Sequence, residues 1–214
     1  MRTFVRFGGL TSVEAAGLVP EGGAGGFVVG VPSSPRNLEE SAVGELIDAL
    51  PNNAEAWAQV KDPTVEAIRR LFDDVGVDRI EVHGVVPDGL EFLEIHHLVP
   101  ALPIPLPGLE GPLPTVPPPE DAPMLVLETA APGLVDGHAT RSNWEICQRL
   151  VDEQPGRKLV VSGGVTRENL AELLPTVRPW GVGLASVLEK SPGTFDPDRV
   201  RQFLEVLAAA ESTA

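Results

Sequence analysis

The segment KLVVSGGVTRENL, from Lys158 to Leu170, decides the fold because it joins a buried strand to a helix through two glycines. The apolar run Leu159–Val161 is typical of a strand that is covered on both faces. Thr166 can cap the helix that follows, whose apolar residues recur at i, i+3, i+4 and i+7. Gly163 and Gly164 therefore place bare backbone N–H groups beside a helix N-terminus, which is where proteins commonly bind phosphate. An ordinary strand-to-helix turn, which also needs flexible residues, is the alternative.

Composition narrows the class of protein before any other motif is considered. The chain has 214 residues, 43% of them hydrophobic, which is enough to bury the core of one α/β domain or of two small ones. The net charge of −15 argues against nucleic acid and against an anionic membrane surface as partners. No apolar run approaches the length of a membrane span. Cys147 is the only cysteine, so we expect no internal disulfide and a cytoplasmic location.

Short strand-like runs alternate with amphipathic helices along the chain. Helices are predicted over 65–75 and 88–99 from their apolar spacing. Other helix starts are marked by Thr11 with Glu14, Asn37 with Glu40, Ser142 with Glu145, and Asp196 before Pro197. The eight predicted strands are Thr3–Phe7, Gly26–Gly30, Ala54–Val60, Arg79–His83, Leu102–Leu106, Met124–Thr129, Leu159–Val161 and Gly181–Ser186.

Ten prolines lie between Pro100 and Pro123, so no helix can run through this segment. Regular strand–helix units resume directly after it. We therefore expect an extended loop inside a single domain over residues 1–214, with a disordered linker between two domains as the alternative.

Eight strands, all but one followed by a helix, predict a small α/β fold of the (β/α)8 TIM barrel type with a Pro-rich loop in place of helix 5. A doubly wound open sheet is the alternative. In TIM barrels catalytic groups lie at the carboxyl ends of the strands, and phosphate often binds after strands seven and eight. Gly163 and Gly164 follow the seventh predicted strand, which favours phosphate binding over an ordinary turn.

Six segments, in their order along the chain, resemble the phosphoribosylanthranilate isomerase family, whose members are small barrels without a regular fifth helix. VRFGGLT is similar to the family's VK-(I/F)-CGIT, GFVVGVPSSPR to GFVF-x-P-x-SPR, and IEVHG to VQLHG. MLVLET is similar to LLLDS, VVSGGVTRENL to LAGGLTPENV, and GVGLASVLEKSPG to GVDVSSGVE-x-x-PG. The segments begin at Val5, Gly26, Ile80, Met124, Val160 and Gly181, so the resemblance covers nearly the whole chain.

The resemblance implies an Amadori rearrangement, in which an N-linked aminoaldose phosphate becomes an aminoketose. In the family, an acid protonates the furanose ring oxygen and a base removes the C2 proton of the resulting Schiff base. The base is the Cys of CGIT, and here that position is Gly8, which has no side chain to take a proton. The acid is the Asp of LLLDS, and here Glu128 keeps the carboxyl group on a side chain one methylene longer.

Other departures fall in the same region. In strand eight the family's paired serines and glycine become Ala185, Ser186 and Val187. Valine is poorly suited to a positive φ and crowds a backbone that must approach an anion. One half of the predicted phosphate site is thus altered, while Gly163 and Gly164 are retained.

Arg6 and Glu81 stand where the family has Lys and Gln, and both should face the barrel interior. We expect a buried ion pair between them, with Glu81 as a replacement base as the alternative. Arg36 is retained, and in the family it pairs with the anthranilate carboxylate. A solvated loop arginine is the other interpretation of Arg36.

The group that replaces the missing base is left open among His83, Glu81, Asp136 and His138. Asp136 and His138 lie in the loop after strand six, over the mouth of the barrel, although a polar surface loop explains them equally well. No Cys, His and carboxylate cluster has the spacing of metal ligands, so we expect no metal and no cofactor.

Two hypotheses follow. The first is a divergent isomerase with a changed phosphosugar substrate, in which Glu128 is the acid. The second is a barrel that has lost this catalysis and binds a phosphorylated or carboxylated small molecule. Gly8 favours the second hypothesis, and the retained carboxyl group and Arg36 favour the first.

The predicted substrate-binding residues are Arg36, Gly8, Arg6 and Glu81, and the predicted phosphate-binding residues are Gly163, Gly164, Ala185 and Ser186. The oligomeric state is open, with a homodimer as one option.

Overall fold

Eight parallel strands close into a barrel in the computed structural model of the chain, which describes residues 2–108, 114–115, 120–130 and 143–212. These strands are β1 (Phe4–Phe7), β2 (Ala24–Val29), β4 (Glu55–Lys61), β5 (Arg79–His83), β6 (Leu98–Pro105), β7 (Met124–Ala130), β8 (Lys158–Ser162) and β9 (Gly181–Leu184). The short β3 (Asn37–Leu38) pairs with β2 outside the barrel, and β10 (Glu189–Ser191) forms a hairpin with β11 (Thr194–Phe195). Because β1 pairs with both β2 and β9, the sheet has no open edge among these eight strands. The predicted TIM barrel is confirmed.

Helices surround the barrel as the apolar spacing predicts. They are α1 (Val13–Ala16), α2 (Glu40–Asp48), α3 (Val65–Arg70), α4 (Trp144–Glu153), α5 (Leu170–Val177) and α6 (Pro197–Glu211). A π-helical turn over Leu71–Val75 continues α3, and single 3-10 turns cover Ile95–His97 and Ser186–Leu188. The described residues between β6 and β7 form no helix. That one domain spans 1–214 stays a prediction.

The helix predicted over 88–99 is wrong. Gly89 has a φ of +89°, a left-handed conformation that interrupts a right-handed helix. Only the 3-10 turn at Ile95–His97 forms there, and β6 begins at Leu98, four residues before the predicted strand.

Two of the predicted helix caps are displaced. Ser12, not Thr11, caps α1 by accepting a hydrogen bond from the amide of Ala15. The Thr11 hydroxyl instead donates to the carbonyl of Gly193. Asn37 lies in β3 and does not open α2, because its side-chain oxygen accepts from the amide of Val31 in the preceding loop.

Of the later helix starts, that of α6 agrees with the prediction. Asp196 caps α6 as predicted, with its carboxylate accepting from the amides of residues 198 and 199. Thr166 does not cap α5 as predicted: the helix begins at Leu170 with Asn169 at its N-cap, and the carbonyl of Thr166 accepts from the amides of both residues. Ser142 lies outside the described residues, and Asn143 caps α4.

Apolar side chains fill the barrel interior at the amino ends of its strands. Trp57, Met124, Val126 and Val160 are buried there, and Phe4 stacks between Trp57 and Trp180 beneath them. Towards the carboxyl ends the interior residues become polar, with Arg6 and Glu81 both buried. The apolar layer thus supports a polar site at the carboxyl ends, as is usual for this fold.

Candidate active site

A cavity of about 770 Å³ opens at the carboxyl ends of the barrel strands. Glu81 is buried beneath its floor and does not line it. Asp136 and His138 lie outside the described residues. The predicted site residues that line the cavity are Arg6, Gly8, Arg36, His83, Glu128, Gly163, Gly164, Ala185 and Ser186.

Arg6 and Glu81 form the predicted buried ion pair at the floor of the cavity. The Arg6 Nε lies 3.3 Å from the Glu81 Oε2, and Arg6 Nη2 donates to the Ser162 hydroxyl at 3.2 Å. Burial alone would raise the pKa of Glu81, but the charge of Arg6 and the contact with His83 outweigh it and lower that pKa to about 2. Glu81 is therefore an ionised carboxylate that lies beneath the cavity lining. Its roles as a replacement base and as a substrate ligand stay predictions.

His83 sits at the end of β5 and links this ion pair to the cavity. Its Nε2 lies 2.8 Å from the Glu81 Oε1, which also accepts a hydrogen bond from the Gln59 amide at 3.2 Å. Burial would lower the pKa of His83, but the hydrogen bond to Glu81 and the charges of Glu81 and Glu128 outweigh it and raise that pKa. An ionised carboxylate can only accept, so Nε2 carries the proton and Nδ1 is the nitrogen able to take another.

The side chain of Arg6 fills the space beside Gly8. A Cβ at residue 8 would overlap the Arg6 Nη1 and would lie 3.2 Å from the Gln59 side-chain oxygen. On the other side of the guanidinium, a Cβ at Gly183 would lie 3.0 Å from the Arg6 Nη2. The Arg6 head thus fills the space that a side chain at residue 8 would need. A side chain at residue 8 would therefore require the Arg6 guanidinium to move.

The turn after β8 contains two glycines in left-handed backbone conformations. Gly163 and Gly164 have φ of +83° and +66°, and a Cβ at Gly163 would lie 2.7 Å from the Thr129 hydroxyl. Asn169 fixes the turn, since its side chain accepts from the Thr166 amide at 2.9 Å and donates to the Gly164 carbonyl at 2.7 Å. Conformation and space both require glycine at residue 163.

The segment Ala185–Val187 follows β9, which pairs with β8, and it lines the cavity beside that turn. It enters the 3-10 turn Ser186–Leu188, in which the amide of Leu188 bonds to the carbonyl of Ala185. In the described part of the chain, the non-glycine residues with positive φ are Asn53, Asp62 and Arg178. Val187 is not among them, so the expected conflict between valine and the backbone is wrong.

Arg36 is neither solvated nor confined to a loop surface. It is 6% exposed and pairs side-on with Glu189, with 2.8 Å between Nε and Oε1 and a second contact between Nη2 and Oε2. Glu189 also accepts from the Gly193 amide at 3.0 Å. A carboxylate of the chain therefore engages two nitrogens of the arginine that the family uses for the substrate carboxylate.

Six further polar residues of the cavity were not predicted from the sequence: Ser34, Gln59, Lys61, Thr115, Thr129 and Ser162. Gln59 and Lys61 stand two positions apart on β4, the spacing of residues that share one face of a strand. Their alternation with apolar residues after Trp57 could have indicated that both side chains face the barrel interior. Lys61 was missed because the predicted strand ended at Val60, one residue before it. Glu189 had no such signal, because it lies 153 residues from Arg36.

Two other features bear on the class of protein. Within the described ranges, no group of three His, Cys, Asp or Glu side chains could hold a metal ion. No helix in the same part of the chain is long and apolar enough to cross a membrane. The absence of a cofactor and the homodimer stay predictions.

Comparison with known proteins gives the family. No family model matches the chain. The N-(5'-phosphoribosyl)anthranilate isomerase of Aquifex aeolicus is 32% identical to it over 212 residues, which cover 94% of this chain and 96% of that protein. The protein of the same name from Rubrobacter xylanophilus is 30% identical, with the same two coverages. The crystal structure of phosphoribosyl anthranilate isomerase from Thermus thermophilus matches with a TM-score of 0.75 at 26% identity, over 98% of this chain and 99% of that one. The chain belongs to the phosphoribosylanthranilate isomerase family.

Proposed function

We propose that the chain is an isomerase that converts a phosphorylated N-substituted aminoaldose into the aminoketose, with His83 as base and Glu128 as acid. The observation that carries this proposal is the 2.8 Å contact between His83 and the buried carboxylate of Glu81. A carboxylate behind a histidine fixes its tautomer and stabilises its protonated form, which is the arrangement a general base needs. The family's sequence has an uncharged glutamine at residue 81.

The proposed reaction moves only protons and electron pairs. Glu128 protonates the ring oxygen as the C1–O bond breaks, which leaves a C1=N Schiff base. His83 Nδ1 then removes the proton from C2, and the electron pair of that bond forms a C1=C2 bond as the C1=N electrons return to nitrogen. Loss of the C2 hydroxyl proton and protonation of C1 give the aminoketose. The backbone amides around Gly163, Gly164 and Ser186 hold the phosphate.

The substrate that we propose differs from that of the named relatives. The Arg6 guanidinium occupies the space in which the family's cysteine, at the position of Gly8, would place its compact thiol. The carboxyl group of Glu128 is one methylene further from the backbone than that of the family's aspartate. Ala185 and Val187 also change the shape of the phosphate site. A ligand that fits the family's cavity therefore meets different charge and volume in this one.

A second candidate function is favoured by one observation. The Arg6 guanidinium occupies the space of the family's base, so the barrel could bind a phosphorylated ligand without turning it over. In that case His83 contributes binding only.

A turnover assay separates the two functions. Purified wild-type protein and His83→Gln are incubated with phosphoribosylanthranilate and with a series of phosphoribosylated arylamines, and ketose formation is followed. Turnover of any member by the wild type, with loss in His83→Gln, supports the isomerase. Binding of these compounds without turnover supports the second function.

Complementation tests the changed substrate separately. Growth of a tryptophan auxotroph that lacks the isomerase, at the rate given by a family member, would contradict both the changed substrate and the loss of activity.

A further inference from the structure

The side chain of Gln59 joins the turn after β1 to the buried carboxylate of Glu81. Its oxygen accepts a hydrogen bond from the amide of Gly9 at 2.9 Å, and its nitrogen donates to the Glu81 Oε1 at 3.2 Å. A backbone N–H can only donate and an ionised carboxylate can only accept, so these partners decide which end of the amide group faces which. Gln59 is therefore held in one orientation from both ends.

The backbone of two neighbouring strands packs closely against the Gln59 amide group. A Cβ at Gly26 on β2 would lie 2.7 Å from the Gln59 Oε1, and a Cβ at Gly8 would lie 3.2 Å from the same atom. Both positions are glycine, so the amide group lies directly against the main chain. This packing limits the movement of the amide group that donates to Glu81.

The two oxygens of Glu81 differ in how well they are bonded. Oε1 is contacted by Gln59 and, at 2.8 Å, by the His83 Nε2. Oε2 lies 3.3 Å from the Arg6 Nε, but neither of these buried atoms has a hydrogen-bond partner among the described residues. Buried polar atoms left in this way cost free energy. The carboxylate is therefore turned towards His83 at the expense of its hydrogen bonding with Arg6.

The Arg6 guanidinium is confined on its other side. Its Nη2 donates to the Ser162 hydroxyl at 3.2 Å, and the head fills the space that side chains at Gly8 and Gly183 would need. The direction in which the Glu81 carboxylate turns therefore decides how closely the ion pair forms.

We propose that Gln59 is a positioning residue for the base: its amide group holds the Glu81 carboxylate against His83 and opposes the attraction of Arg6. This inference rests on the proposed function, in which His83 removes the C2 proton. A carboxylate held in this way keeps the His83 ring in one orientation and one tautomer, which leaves Nδ1 to accept the proton. Without Gln59, the carboxylate turns to form the hydrogen bond with Arg6 that the observed geometry lacks.

The substitution that tests this role leaves the charges around His83 unchanged. The charged side chains that act on His83 or stand beside it on the neighbouring strand are those of Glu81, Glu128, Arg6 and Lys61. Gln59→Met removes none of them and keeps a side chain of similar length. A change in the pKa of His83 in this variant therefore reports a change in the position of Glu81.

Titration of His83 by NMR tests the proposal without any substrate. Its signal is the one of four histidine signals that is absent from His83→Gln. In the wild type the pKa of His83 should lie above its ordinary value of 6.5, and in Gln59→Met it should fall towards that value. The control Gln154→Met should leave the pKa unchanged, because Gln154 lies at the end of α4, outside the barrel, and contacts Arg157.

Steady-state kinetics measure the consequence for turnover. Gln59→Met should lower kcat by up to about a hundredfold, the cost of a small misplacement in a preorganised site, and should leave KM nearly unchanged. Gln59→Asn keeps a polar side chain but draws the amide group back from Glu81 by one methylene. It should lower kcat and the pKa of His83 in the same direction, and it replaces Gln59→Met as the test if that variant does not fold.

The possible failures are distinguishable. An unchanged or raised pKa of His83 in a folded Gln59 variant overturns the role of Gln59, even if kcat falls. If the wild type shows no turnover while the pKa of His83 falls in Gln59→Met, the proposed function is overturned and the hold of Gln59 on Glu81 stands. Thermal unfolding of each variant verifies that it is folded.

Discussion

The two sides of the barrel mouth have diverged to different degrees. The phosphate side, formed by the turn at Gly163 and Gly164 and by the segment Ala185–Val187, keeps the family's glycine turn. The base side, formed by Arg6, Gly8, Gln59, Glu81 and His83, has lost the family's base and gained an ion pair. Because the two sides stand on different strands, residues on one side can change while the proposed phosphate anchor on the other is kept.

The difference also concerns how each side is built. The phosphate side is mainly backbone, positioned by glycine conformation and by the side chain of Asn169. The base side is a network of side chains in which Arg6 contacts Glu81 and overlaps the space above Gly8. We expect the effects of changes on the phosphate side to be independent of one another, and the effect of each change on the base side to depend on its neighbours.

The largest expected effect is on catalysis at the base side. His83→Gln should lower kcat by about 10²–10⁴-fold, the usual contribution of general acid–base catalysis. The binding of a reduced product analogue should change little, since glutamine can still donate to Glu81. Steady-state kinetics and calorimetry on the same preparation measure the two quantities. A variant with wild-type kcat would remove His83 from the mechanism.

The next effect concerns the ion pair that joins the two sides. Glu189→Gln removes a buried carboxylate that pairs with Arg36, which should reduce the free energy of unfolding by about 3–5 kcal/mol. Glu205→Gln is the control, because Glu205 pairs with Arg201 at the exposed surface and should change stability by less than about 1 kcal/mol. Urea denaturation measures both. If the two variants lost the same free energy of unfolding, burial of the Arg36–Glu189 pair would not increase its contribution to stability.

Restoring the family's cysteine tests whether a side chain at residue 8 requires Arg6 to move. Gly8→Cys alone should destabilise the fold by about 1–3 kcal/mol, because the new side chain overlaps the Arg6 Nη1. Adding Arg6→Lys should relieve that cost. A combined Arg6→Lys, Gly8→Cys and Glu128→Asp variant is then the one expected to support growth of a tryptophan auxotroph. If Gly8→Cys is as stable as the wild type, the two residues are not coupled.

A smaller effect is expected on the phosphate side. Gly163→Ala should destabilise the fold by about 1–2 kcal/mol and abolish phosphate binding, because the methyl group meets Thr129 in a backbone of positive φ. Gly156→Ala is the matched control, since Gly156 also has a positive φ, +92°, but its Cβ would meet open space. Phosphate titration of both variants measures the difference. Retained phosphate binding in Gly163→Ala would place the anion elsewhere.

Local sequence patterns predicted the barrel and the glycine turn after β8. Hydrophobic periodicity located all eight strands, and the double glycine after a buried strand located the turn at Gly163, because both signals depend on neighbouring residues. The incorrect helix over 88–99 was also predicted from a local pattern. Its apolar spacing was apparent, but the left-handed conformation of Gly89 is decided by the surrounding fold.

The base side was predictable only in part. Inward alternation on two strands correctly paired Arg6 with Glu81. The contact of Glu81 with His83 was not predicted, although the two residues share one face of β5, and neither was the overlap between Arg6 and residue 8. The partner of Arg36 lies 153 residues away, beyond any local pattern.

The pH dependence of kcat/KM tests most directly whether His83 has taken over as the base. His83 must be neutral to accept the C2 proton, so activity is lost as the pH falls through its pKa. Glu81 and Glu128 raise that pKa above its ordinary value of 6.5, and the acidic limb of the profile should therefore lie above 6.5. The double variant Arg6→Met with Glu81→Gln removes both buried charges together, and its limb should move to lower pH. An acidic limb that stays in place in this double variant would contradict the account.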